Sequence, residues 1–270
     1  MYTIYGGSAA ANKHQQHHKH KPQSPIQPLT FVLAHGAWAD ASFWNPVARE
    51  LRAKGHTVYI PEYPGHGGDP NTNVTHGMIS KAVADYIAAN NLRDIILVGH
   101  SFGGSVIQKV AEQVPNRIKR LVFMDGIVLG DGQSALDQFP VPMQQAFEQM
   151  RKASKDDTLM LPFPVFRDTF VNLANLELAQ QLYSEIRPEP AKPLFEKLDL
   201  KKFYRLQTPR SYLYMTEDNA VPHAPGYGWH PQMSSRLGMY RLIKSPGDHM
   251  TYFRTRPGLL ANRLYEASRD

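Results

Sequence analysis

Gly99-His100-Ser101-Phe102-Gly103 sits between an apolar run, Ile95-Ile96-Leu97-Val98, and a helix-like stretch from Ser105 to Gln113. A serine at a sharp strand-to-helix turn, with glycine two positions to either side, constrains the chain more than any other segment. A turn tight enough to lift a hydroxyl above a sheet edge brings backbone segments into contact, and only glycine fits there. The helix that follows points its N-terminal amides toward negative charge developing near the hydroxyl.

From Leu29 onward the chain repeats this strand-then-helix rhythm. Leu29 to Ala34, Thr57 to Ile60, Ile95 to Val98 and Ile118 to Met124 are short apolar runs suited to buried parallel strands. Helical patterns fall between them, at Phe43 to Ala53 with Val47 and Leu51 on one face, and at Ile79 to Ala89. Such alternation implies right-handed βαβ units and a parallel sheet covered on both faces. The rhythm breaks near Gly130. Residues 131–205 hold helical patches at Met143 to Ser154, Pro164 to Leu173, Leu176 to Ile186 and Pro193 to Leu198, with no strand expected among them. Strands resume at Ser211 to Met215 and Met239 to Ile243, and a final helix covers Leu259 to Ala267. An insertion flanked by strands of one sheet reads as a lid over the carboxyl-end face, where open α/β sheets bind ligands.

Residues 1–27 differ from the rest. They are rich in Gln, Lys, Ala and His, including His14, His17, His18 and His20, and a disordered tail is expected. The tract lacks the apolar centre of an intact signal peptide. The chain is compatible with a cytoplasmic protein or with an exported one whose leader has been removed. The domain plan is therefore a tail at 1–27, a core at 28–130 and 206–270, and a helical lid at 131–205.

Composition excludes several functions. The chain has no cysteine, so thiol nucleophiles, thiolate metal sites and disulfides are absent. The net charge is +6, but Lys13, Lys19 and Lys21 of the acid-free first 39 residues supply half of it. No basic stripe follows, so nucleic acid is not an expected partner. No apolar run is long enough to span a bilayer, and no membrane insertion is expected. The histidines lack the spacing of a metal pair, so neither metal nor cofactor is implied.

A serine hydroxyl needs a base within hydrogen-bond reach, itself oriented by a carboxylate. Asp218 lies in the loop after the Ser211–Met215 strand and His249 in the loop after the Met239–Ile243 strand. These are the chain positions a Ser, acid, His order requires. Asp125, after the Ile118–Met124 strand, and Glu217, beside Asp218, are alternative acids; Asp248 is expected to shape the histidine turn. The backbone amides of Phe102, directly after the serine, and of Ala37, after the first strand, are the expected oxyanion donors. His35, Gly36, Trp38, His100 and Met250 are expected around the substrate. His56, His66 and His76 read as surface or loop residues, and His223 and His230 as lying near the pocket mouth.

These residues resemble the α/β-hydrolase superfamily across nearly all the chain after the tail. The nearer resemblance is to its methyl esterase and hydroxynitrile lyase branch, through Phe31-Val32-Leu33-Ala34-His35-Gly36-Ala37, Trp44, Leu51, Gly55, His56-Thr57-Val58, Gly99-His100-Ser101-Phe102-Gly103-Gly104 and Asp248-His249-Met250. That branch implies an α/β-hydrolase fold with about six mostly parallel strands, helices on both faces and a lid after the fourth strand. Its lyases carry Thr and Lys where this chain has Gly36 and Met250, so hydrolysis is expected over cyanohydrin cleavage. Trp38-Ala39-Asp40-Ala41 departs from the branch's Cys-His-Gly type of run, and Tyr63-Pro64-Gly65-His66-Gly67 is closer to general bacterial hydrolases. Epoxide hydrolases and haloalkane dehalogenases of the fold need an Asp nucleophile, which Ser101 replaces. The expected activity is a serine hydrolase acting on small hydrophobic or aromatic carboxylic esters, as a monomer or homodimer. A lactonase or amidase with the same residues, a lyase, or a ligand sensor on the same fold remain alternatives. The stretch Leu159 to Phe166 is apolar enough to line a pocket; Arg151, Lys152, Arg167 and Arg187 are the lid cations that could reach a charged substrate.

Overall fold

A computed structural model describes residues 27–270. The expectations for the tail, including its His-rich tract, lie outside the described residues. Six parallel strands form one sheet: β1 (Thr30–Ala34), β2 (Thr57–Tyr59), β3 (Ile95–Ser101), β4 (Ile118–Gly126), β7 (Arg210–Met215) and β8 (Arg241–Ser245). Their order is β2-β1-β3-β4-β7-β8. The strands alternate between two cores. Phe31, Leu33, Ile96, Val98, Val122 and Met124 face one cluster, while Val32, Ala34, Ile95, Leu97, Leu121 and Phe123 face the other. This period of two lets both sides of one sheet be buried, as a parallel sheet requires.

The first face is covered by α1 (Asn45–Ala53) and α9 (Pro257–Ser268), through Val47, Leu51, Leu260 and Leu264. The second is covered by α2 (His76–Ala89) and α3 (Gly103–Gln113), through Ile79, Val83, Val106 and Val110. Each of these fully buried aliphatic side chains contributes roughly 1.5–3 kcal/mol over leaving it in water. Local chemistry sets the helix starts. Thr75 caps α2 by accepting from the Met78 amide, and Pro46 lies in the first turn of α1.

Residues 127–209 run between β4 and β7 and include the expected insertion. It contains α4 (Val141–Ala153), α5 (Phe163–Thr169), α6 (Leu176–Glu185) and α7 (Lys192–Phe195). It also contains two strands where none is expected from the sequence: β5 (Thr158–Leu159) pairs antiparallel with β6 (Glu189–Pro190). Two-residue strands carry no periodicity to read, and Pro190 argues against one.

The strand order decides where a site can form. After β1 the chain runs outward to β2 and then returns to β3 on the opposite side of β1. The loops leaving β1 and β3 therefore diverge, opening a crevice at the carboxyl ends of these two strands. The β1 loop carries His35-Gly36-Ala37-Trp38, and β3 ends at Ser101.

Candidate active site

Ser101 has φ 54°, in the left-handed region where non-glycine residues are rare. Its neighbours leave the turn no slack. A Cβ on Gly99 would sit 2.4 Å from the Gly103 carbonyl oxygen, and one on Gly103 would sit 2.6 Å from the carbonyls of Ala34 and His35. The Ser101 carbonyl accepts from the Ile127 amide at 2.8 Å, which ties the turn to the segment after β4. Strain of this kind persists only where the surroundings over-determine it.

His249 and Asp218 come together from loops 31 residues apart: His249 Nδ1–H donates to Asp218 Oδ2 at 2.5 Å, and both residues are buried. The other Asp218 oxygen accepts from the Ala220 amide at 2.8 Å. Burial alone would raise the Asp218 carboxyl, but the facing His249 and the hydrogen bonds from His249, Asp125 and Ala220 hold it below the usual value. His100, next to the serine, donates through Nε2–H to the His249 carbonyl at 3.1 Å, with the two rings 4.5 Å apart. Trp229 stacks on the His249 ring at 5.5 Å and Phe170 meets it edge-on at 5.0 Å. Both also line the cavity that Ser101 opens into.

The alternative acids have other tasks. Glu217 is exposed and accepts from the Gly247 amide at 2.6 Å, and Asp248 accepts from Leu173 and Thr251 amides, so both shape the histidine loop. Asp125 is fully buried at the end of β4, and both its oxygens accept from the Met215 amide at 3.1 Å. Burial, the Asp218 charge and a hydrogen bond to Asp218 push its carboxyl well above the ordinary range, so it stands as a neutral acid behind Asp218.

Ala37, Trp38, Ser101 and Phe102 line the cavity together with Ile127, Phe139, Phe147, Phe170, Val221 and Trp229 among others. Of all its lining residues only Ser101 has a polar side-chain function beyond an indole. The space is narrow, with about 30 Å3 open to the centre of a water-sized molecule. The remaining expected substrate contacts lie off this wall. His35 donates through Nδ1–H to the Gly36 carbonyl, meets Glu62 through Nε2 at 3.0 Å and stacks on Tyr63 at 3.8 Å, so it braces the β1 loop. Gly36 lies against the serine itself, and His100 faces His249. Met250 is buried, and its amide donates to the Phe170 carbonyl at 3.0 Å, which turns it into a lid anchor.

Other expectations need correction. His56, His66 and His76 are buried rather than surface residues. His76 Nε2 lies 3.0 Å from Ser105 Oγ, itself bonded to the Phe102 carbonyl, under the serine turn. His223 reaches the Asp218 carbonyl at 2.9 Å and His230 turns to Ser234 at 2.7 Å. No lid cation lines the cavity: Arg151 pairs with Asp157, Lys152 and Arg167 are exposed, and Arg187 faces a different cavity behind Trp38. The aromatic walls from the lid and Trp229 were missed, because nothing local marks them as facing a serine far away in the chain.

Residues 31–263 match the model of the alpha/beta hydrolase family. The chain belongs to that family. The solved structure of an extracellular alpha/beta-hydrolase from a Paenibacillus species, titled as sharing structural and functional homology with tobacco Salicylic Acid Binding Protein 2, is 60% identical. It superimposes with a TM-score of 0.89 over 90% of this chain and 100% of that one. A carbendazim hydrolyzing esterase of Nocardioides sp. is 39% identical over 113 residues, 41% of this chain and 47% of that protein. A putative chloroplastic methylesterase 11 of Arabidopsis thaliana is 29% identical over 208 residues, 71% of this chain and 53% of that protein. The chain thus spans about half the length of these two curated relatives. Within the alpha/beta hydrolase family its likeness is to the methylesterase branch.

Proposed function

We infer that this alpha/beta hydrolase is a serine esterase with Ser101 as nucleophile, His249 as base and Asp218 as the acid that orients it. One observation carries the reading: the 2.5 Å contact of His249 Nδ1 with Asp218, in a cluster that packs on the turn of a strained serine. Asp218 fixes the imidazole tautomer, so Nε2 is the unprotonated nitrogen that takes the Ser101 proton as the oxygen attacks an ester carbonyl. The Ala37 and Phe102 amides hold the resulting oxyanion. The imidazolium then protonates the departing alcohol, and water releases the acyl group by the same route. No metal or cofactor enters the scheme.

The walls support an uncharged substrate. An aromatic-lined cavity with no cation suits a small hydrophobic or aromatic ester, and a free carboxylate would be desolvated there without a partner. The esterase names of relatives point the same way. A panel of methyl, aryl and medium-chain esters with matching lactones, amides and cyanohydrins tests the reading. Uncharged esters are expected to be cleaved fastest, with an acyl adduct on Ser101 by mass spectrometry. Ser101→Ala is expected to lose at least about 10³-fold in kcat. Ester turnover unchanged in that variant would overturn the assignment.

A further inference from the structure

Behind Trp38 lies a second cavity of about 260 Å3, and its polar wall is built from an ion pair that the esterase scheme does not use. Glu189, in lid strand β6, is fully buried and meets His66 Nε2 with both carboxylate oxygens at 3.1 Å. His66 Nδ1 faces the Pro64 carbonyl oxygen at 3.1 Å. Both ring nitrogens thus point at acceptors. A neutral imidazole has one N–H and could satisfy only one of them, so the geometry calls for the imidazolium. The same Glu189 Oε2 also accepts from the Trp38 backbone amide at 2.7 Å.

That amide adjoins the one assigned to the oxyanion. The Trp38 indole N–H donates to the Leu159 carbonyl in β5 at 2.9 Å, and the Trp38 carbonyl accepts from the Arg187 amide at 3.1 Å. Trp38 itself has φ 60°. A non-glycine residue is therefore held in the left-handed region by three bonds into the lid, one of them to a buried carboxylate.

We propose that Glu189, paired with the His66 imidazolium, is a positioning residue that reaches from the lid to grip the Trp38 amide and so orients the Ala37 amide toward the oxyanion. The proposal rests on the serine esterase reading, in which Ala37 is a donor. A neutral His66 would keep its one N–H on Glu189 but give up the ion pair and turn a lone pair toward the Pro64 carbonyl, so the grip is strongest while His66 is protonated. Besides Glu189, the groups around His66 are Glu62, Asp69, Asp40, Asp156 and Arg187, with the Tyr63 and His35 rings at 5.5 and 5.2 Å. Burial opposes the charge on His66, but Glu189 outweighs it and pushes the imidazole up to about 9.

The test compares Glu189→Gln, Glu189→Ala and the wild type, with kinetics normalised to active sites titrated by a fluorophosphonate. Gln keeps an acceptor for the Trp38 amide and Ala does not. Glu189→Gln is expected to keep kcat within about fivefold and Glu189→Ala to lose 10- to 100-fold, less than removing an oxyanion donor outright, with KM little changed. The wild type is expected to lose kcat above about pH 9, and that limb is expected to vanish in Glu189→Gln. Hydrogen exchange at the Trp38 amide needs no catalysis and is expected to accelerate at least tenfold in Glu189→Ala. Wild-type kcat in both variants with an unchanged exchange rate would overturn the proposal. Activity surviving in Ser101→Ala would overturn the serine reading instead, and the exchange measurement would still decide whether Glu189 grips the loop.

Discussion

Replacing Gly36 with alanine puts one methyl group against Ser101, the proposed nucleophile. A Cβ at Gly36 would lie 2.8 Å from Ser101 Cβ and 3.3 Å from both Ser101 Oγ and His100 Nδ1. Ordinary contact begins at 3.4 Å, so about 0.6 Å of separation has to be found. Neither side yields easily. Ser101 Cβ is fixed by a backbone at φ 54° whose carbonyl is tied to Ile127, and the Gly36 carbonyl accepts from His35. A 1 Å misplacement of reacting groups costs about 100-fold in rate, so a shift of half that size costs on the order of tenfold. Overpacking of a tight contact adds about 1–3 kcal/mol of lost stability. The expected result for Gly36→Ala is therefore a 10- to 50-fold lower kcat on an aryl ester, with KM moving less than about threefold because the cavity walls are untouched. The measurement is steady-state kinetics beside a urea titration, with Gly68→Ala as control. Gly68 has open space around it and no left-handed backbone, so its alanine variant is expected to match the wild type. A Gly36→Ala enzyme within twofold of wild-type kcat would refute the claim that this contact sets the serine's position.

Asp125→Asn tests which carboxylate serves His249. Asparagine keeps the shape, can donate to Asp218 as the neutral acid does, and accepts from Met215, so kcat is expected to stay within about fivefold, whereas Asp218→Asn is expected to fall about 10⁴-fold. Equal losses in the two variants would move the acid role to Asp125. His66 also links folding to pH. Its folded pKa, pushed up to about 9, stands above its ordinary value, so the native state holds the proton more tightly and its stabilisation is complete below about pH 6.5. Relative to His66→Asn, the wild type is expected to lose about 3 kcal/mol in urea unfolding between pH 6.5 and about pH 9.5. A difference that stays flat over this range would show that the pair is not ionised.

The sheet and the serine turn were legible because their signals are local. Runs such as Ile95 to Val98 declare a buried strand by composition, and Gly99 and Gly103 are demanded by backbone contacts within the same turn and the adjacent β1 loop. Asp218 and His249 were legible as positions, since each follows a strand at the carboxyl end of the sheet. The lid was legible only in outline. Its strands are two residues long, and their register depends on Glu189 meeting Leu159 across 30 residues. His66 looked like a loop residue because its burial depends on a carboxylate 123 positions away. Phe147, Phe170 and Trp229 were not legible as cavity walls for a similar reason: an aromatic residue at helical or loop spacing carries no mark of which face it turns to a distant serine.

The same long-range contacts tie the lid to the core. The lid is fastened to the oxyanion loop through Trp38, by its bonds to Glu189, Leu159 and Arg187. It is fastened to the His249 loop by the Leu173 amide on Asp248 and by the Met250 amide on the Phe170 carbonyl, and Asn172 reaches the Glu217 carbonyl beside Asp218. These are six hydrogen bonds at roughly 0.5–1.5 kcal/mol each, more where a carboxylate accepts. Lifting the lid as a unit would break them together and expose Phe147, Phe166 and Phe170 to water. That cost is several kcal/mol, comparable with the whole stability of a typical domain. Rotation of single aromatic side chains around the cavity breaks none of these bonds. A substrate too wide for the narrow space above Ser101 is therefore expected to be admitted by turning these side chains, with the His249 and Trp38 loops still held by the six bonds.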